Sequence, residues 1–163
     1  MSAGINEIMW KQYGASIEML ENAIVACPAE VWDGAFKFWY TAYHTIFFLD
    51  YYCSSDPVNF APPTPFGLSE FDPGGILPER VYSKKELLDY LEFARKKCFE
   101  LLVGLTDEKA NKQFIRQFSD YTMMEMLIYN LRHVQHHVGQ LNLVLRQLTD
   151  NAPGWVSQAR KSY

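Results

Sequence analysis

This chain of 163 residues lacks the markers of several large protein classes. It has only three cysteines, Cys27, Cys53 and Cys98, widely spaced and without a C-x-x-C pair. That gives no even-numbered disulfide framework, so each thiol reads as a small core residue in a reducing, cytoplasmic compartment. No apolar run approaches the roughly 20 residues that span a bilayer; Asp50 interrupts the best one, residues 46–52. No basic segment followed by an apolar stretch opens the chain, so no secretory signal is expected. The formal charge is -4, which leaves no general basic footprint for nucleic acid. A Gly-rich phosphate loop and a G-x-S-x-G elbow are both missing. So is H-E-x-x-H: Val134 stands where that motif has its glutamate. There is no internal repeat and no low-complexity segment.

What is present is aromatic. Ten Tyr, eleven Phe and four Trp supply large buried area and several polar handles. The length suits one domain with one core over residues 1–163. Four helices are expected, at about 5–26, 34–53, 83–104 and 120–148. In the first, Ile5, Met9, Tyr13, Ile17, Leu20 and Ile24 recur in steps of three and four. Pro28 ends it and opens one extra turn to Trp32. The second, FKFWYTAYHTIFFLDYYC, is apolar almost all round and should be buried on most sides. The third starts at a capping box, Ser83-x-x-Glu86, and stops at Gly104. Its charged residues, Arg95 and Lys97 among them, read as solvated surface. A polar connector then leads to the last helix, capped by Ser119 or by Thr122, where Thr122-x-x-Glu125 is a second possible capping box. Trp155, in the tail, is expected to dock on the bundle.

Residues 54–82 are different. Six prolines and three glycines leave no room for regular elements, while Phe60, Phe66, Phe71 and their apolar neighbours argue that the segment packs on the protein. An ordered connection of this length can cross the whole bundle and start the third helix beside the start of the second. The expected fold is therefore all-α, a four-helix bundle running up-down-down-up with a long crossover between helices 2 and 3.

The chemistry concentrates in Arg132-His133-Val134-Gln135-His136-His137-Val138-Gly139-Gln140. His133 and His137, four apart, stand on one face of a helix and can reach one ion. The fourth histidine, His44, lies amid the aromatic second helix. A site of His44, His133 and His137 would use neutral imidazoles, which bind zinc, nickel, copper or iron. Three protein ligands leave a position for water or substrate, as catalytic sites require. The residues alone also permit a polar core cluster without metal. His136 points about 100° away from His137 and reads as surface, neighbouring shell or subunit contact. Tyr40, Glu70, Asn130 and Gln140 are candidates for the pocket wall or for orienting the histidines. The expected inner face of the last helix is Met126, Asn130, His133, His137, Gln140, Leu141, Val144 and Leu148, with Gly139 allowing close helix approach.

Tyr43-His44-Thr45 with Phe47-Phe48-Leu49-Asp50, and Arg132-His133 through His136-His137-x-Gly139-Gln140-Leu141, resemble the DinB-like (damage-inducible) superfamily of metal-binding bundles. The resemblance places that family's histidines on His44, His133 and His137. It implies an up-down-down-up bundle, a nickel or zinc ion, and a homodimer. It further implies thiol-dependent transfer or isomerisation with a low-molecular-weight thiol, or metal-dependent hydrolysis, on a small-molecule substrate. Val138 stands where many relatives carry arginine, so a role carried by that arginine is not expected to transfer to this position. The alternative is a non-catalytic metal-binding bundle serving self-association or a protein partner. No nucleic acid and no membrane are expected as partners.

Overall fold

A computed structural model describes residues 4–116 and 119–160. The chain is mostly helical, with one two-stranded sheet among the described residues. In chain order the helices are α1 (Ile5–Ala26), α2 (Ala29–Trp32), α3 (Phe38–Tyr52), α4 (Lys84–Val103), α5 (Asp107–Asn111) and α6 (Met123–Thr149). The strands β1 (Gln113–Arg116) and β2 (Ser119–Thr122) form an antiparallel hairpin between α5 and α6. No helix among the described residues is long and apolar enough to cross a membrane.

The four long helices share one core. Helix α1 packs on α4 and α6, α3 packs on the same two, and α1 and α3 barely touch. Hydrogen bonds and ring contacts give the pairwise directions. Lys84, at the start of α4, bonds the carbonyls of Val25 and Cys27 at the end of α1, and Asn6 donates to Leu105 at the other end, so α1 and α4 are antiparallel. Trp39 and Tyr43 meet Tyr82 just before α4, while Asp50 meets Lys97 further along, so α3 and α4 run together. His44 faces His137 and Tyr52 faces Tyr129, which makes α3 and α6 antiparallel. Tyr13 donates to Leu127 O at 2.5 Å and Ser16 to Gln135 at 3.0 Å, so α1 and α6 advance together.

Both capping boxes form: Ser83 and Glu86 bond reciprocally at α4, and Thr122 and Glu125 at α6. Each closes two otherwise orphaned backbone donors and contributes about 1 kcal/mol. Residues 54–82 contain one 3₁₀ turn, Ser69–Phe71. Phe66 stacks on Tyr90 with centroids 4.3 Å apart and on Tyr43 at 5.9 Å, and Phe60 meets Phe47 edge-on at 5.4 Å. The Tyr43 hydroxyl donates to Gly67 O. These anchors fasten the crossover to α3 and α4, although Leu68, Phe71, Ile76 and Leu77 remain largely exposed.

Several expectations need correction. The second long helix starts at Phe38, not at residue 34, because Gly34 to Phe36 form a turn and Lys37 is left-handed at φ 48°. The last helix starts at Met123 because residues 119–122 pair with β1 instead. Arg95 is not solvated: it is 1% exposed and bonds Glu21 at 2.5 Å. Lys97 reaches into the core to Asp50 at 2.6 Å. Trp155 is 70% exposed; its neighbour Val156 docks instead. The buried face of α6 is Met126, Leu127, Asn130, Val134, Val138, Leu141 and Leu145, so His133, His137 and Val144 lie at its margin and Gln140 and Leu148 outside it. Gly139 is exposed, and a Cβ built there meets nothing, so no close helix approach requires it. Nothing in the structure explains the glycine.

Candidate metal centre

Two helices build the centre. The apolar periodicity of α6 sends Val134 and Val138 into the core, which leaves His133 and His137 on the flank that meets α3. Helix α3 is apolar on nearly every side and brings His44 to the same point from the opposite direction. Phe48, one turn beyond His44, lies 4.8 Å from the His44 ring and 5.6 Å from His133, and Tyr52 lies 6.1 Å from His133. These rings make the dry wall of the site.

The three imidazoles converge through one nitrogen each. His133 Nε2 is 3.3 Å from His44 Nε2 and 3.1 Å from His137 Nε2. Together the three form a group able to hold a metal ion. Ligands about 2.0–2.1 Å from one ion are separated by roughly 2.9–3.4 Å at neighbouring positions of octahedral or tetrahedral shells, so the two spacings from His133 fit, and all three ligating atoms lie within 4.8 Å of one another.

The outer nitrogens explain why the inner ones face inward. His44 Nδ1–H donates to Glu70 Oε2 at 2.6 Å, and His137 Nδ1–H donates to Gln140 Oε1 at 2.6 Å. A neutral ring with its proton on Nδ1 has a bare Nε2. Both bare nitrogens then point at His133 Nε2, which carries at most one proton. At least one of the two close N···N contacts is therefore left without a proton to bridge it. A cation among the three nitrogens removes that conflict, which is the chemical reason this donor set fits a metal.

Burial and the neighbouring histidines favour the neutral form of His133 and His137. Desolvation, then His137, His44 and His136, push His133 down to about 3. His137 is lowered too, first by desolvation, with the Gln140 hydrogen bond opposing. Neutral imidazole is the form that ligates.

The remaining candidates divide. The Glu70 side chain is 2% exposed and bonded to His44. Tyr40 lies one turn before His44 with ring centroids 6.3 Å apart; burial first, then Glu70, pushes its phenol up to about 12. His136 is exposed, its ring 5.0 Å from His137 and outside the convergent group. Asn130 does not orient the histidines. One turn from His133 it turns into the core and donates to Leu49 O at 3.3 Å. Tyr129 and Arg132, unmarked by the sequence as pocket residues, line a cleft of about 540 Å³ with His133, Gln135 and His136. Tyr129 lies four residues before His133 and Arg132 four before His136, the helical spacing that would have found them.

A helical chain with three histidines converging between antiparallel helices is a metal-site architecture. Comparison with family models matches residues 15–141 to the DinB superfamily. The chain belongs to the DinB superfamily. Neither a curated protein nor a solved structure matches it.

Proposed function

We propose that this DinB-superfamily protein is a metal-dependent enzyme acting on a small molecule by hydrolysis or by transfer of a low-molecular-weight thiol. The observation that carries this reading is the convergence of three Nε2 atoms, with no fourth ligating side chain in the group among the described residues. A closed structural site uses four protein ligands, whereas three leave room for a reactant. Nickel or zinc suits the imidazole donors. When bound, the metal would act as a Lewis acid that activates water or a thiol. His44, His133 and His137 would hold it, Phe48 and Tyr52 would exclude water behind it, and the cleft beside His133 would admit substrate. Arg132, on that cleft, would attract an anionic group. The reading takes the four long helices as an up-down-down-up bundle, supported by the pairwise directions of α1, α3, α4 and α6.

The test is metal content by mass spectrometry on protein purified without a metal-binding tag. Near-stoichiometric metal that disappears in His44→Ala and His137→Ala and persists in His136→Ala supports the site. A screen with thiols and small substrates then follows. Wild type that takes up neither nickel nor zinc when supplied would overturn the reading.

A further inference from the structure

We propose that Glu70, delivered by the crossover, is the positioning residue of the centre: it holds His44 in the Nδ1–H tautomer and aims its bare Nε2 at His133 and His137. The inference rests on the three-histidine reading and goes further, because it gives the 54–82 segment a chemical task.

The carboxylate sits in an unusual place. Its side chain is 2% exposed, and one oxygen lies 2.6 Å from His44 Nδ1; the other is buried and has no close partner at good hydrogen-bond geometry, the Tyr40 phenol being the further polar group that interacts with the carboxylate. Among the described residues its one ion-pair partner is His44, and no lysine or arginine joins it. Burying a carboxylate with no lysine or arginine beside it is costly unless its histidine partner gains positive character. An imidazole whose far nitrogen binds a divalent cation gains that character. Gln140 does the corresponding work for His137 with a neutral carbonyl. The two outer acceptors thus differ in charge, and the charged one comes from the loop rather than from either ligand helix.

A plain structural role for Glu70, tying the loop down, is already filled. Phe66 on Tyr90, Phe60 on Phe47 and the Tyr43 bond to Gly67 O fasten the segment without it. Removing the carboxylate therefore leaves the loop in place and changes the ring.

The experiment compares wild type, Glu70→Ala and Glu70→Gln, each labelled with ¹⁵N-histidine. Imidazole nitrogen shifts of the metal-free proteins report the His44 tautomer, and competition with a chelator reports zinc affinity. Wild type is expected to show His44 protonated on Nδ1. Glu70→Ala is expected to lose that preference and bind zinc roughly 10–100-fold more weakly. Glu70→Gln, which retains an acceptor oxygen, should recover the tautomer and much of the affinity. A tautomer unmoved in Glu70→Ala, or zinc affinity within about twofold of wild type, would overturn the role of Glu70. Failure of wild type to bind zinc at all instead overturns the metal reading. The tautomer readout needs no metal, so the two failures are distinguishable.

Discussion

Helix α3 carries two polar intrusions into an aromatic core, and they are solved in opposite ways. Near its end, Asp50 is wholly buried, yet both carboxylate oxygens have donors: Lys97 Nζ at 2.6 Å and the Tyr90 hydroxyl at 3.0 Å. Burial pushes the Asp50 carboxyl up, and Lys97 and Tyr90 oppose that shift. The Asp50 cluster is closed, and it joins α3 to α4. Less than two turns earlier, His44 has its outer nitrogen bonded but shares its inner side with two other imidazoles. His133 even leaves its Nδ1 buried without a partner. The contrast teaches how to read polar residues in a core. A group whose donors and acceptors cancel within the protein is structural; one whose lone pairs converge unmatched is a ligand set.

The largest expected effect breaks the closed cluster. Lys97→Ala leaves the Asp50 carboxylate uncompensated in the core and should cost about 3–5 kcal/mol in urea unfolding. Nickel stoichiometry should be unchanged once the variant is folded; loss of metal there would erase the distinction between the clusters. The next effect tests the open cluster. Nickel at about 100 times its dissociation constant should stabilise wild type by about 2.7 kcal/mol and leave His137→Ala unmoved in a thermal melt.

Acid separates the clusters by sign. In metal-free protein, His133 is neutral when folded down to about pH 3, whereas the unfolded chain takes up a proton near its ordinary value of about 6.5. Between those values the unfolded state binds more protons, so stability falls as pH drops from about 6.5 towards 3. Asp50 acts oppositely, since its raised carboxyl binds a proton more readily in the folded state. Urea midpoints at pH 7.5 and pH 5 should therefore fall more steeply in chelator-treated wild type than in His133→Gln. Equal slopes would show that His133 is not held neutral. The smallest effect lies at Gly139, on the exposed side of α6. With open space at the Cβ position, Gly139→Ala should stabilise the apoprotein by up to about 1 kcal/mol without altering metal content.

Much of the helical frame and the three histidines was legible in the chain. Periodicity exposed the core of α1, the capping box at Ser83 marked the start of α4, Thr122 was one of the two caps offered for α6, and the four-residue spacing of His133 and His137 placed them on one flank. These are local signals, read within two turns of helix. The hairpin before α6 was missed because its strands are four residues each and no turn chemistry advertises them. Arg95 and Lys97 were misread because periodicity cannot tell that Glu21 and Asp50 lie across from them.

The sequence by itself determined which residues could ligate, since imidazoles and their helical spacing are fixed by covalent order. Tertiary structure alone decided what each became. It turned Asn130 away into the core, exposed Trp155, and carried Glu70 across 26 positions of chain to the outer nitrogen of His44. The reason is physical. A helix sets direction over a few residues, but a proline-rich crossover has no period from which its endpoint can be read. Its course is set by where Phe60 and Phe66 find rings to pack against, and those rings exist only once the helices have met.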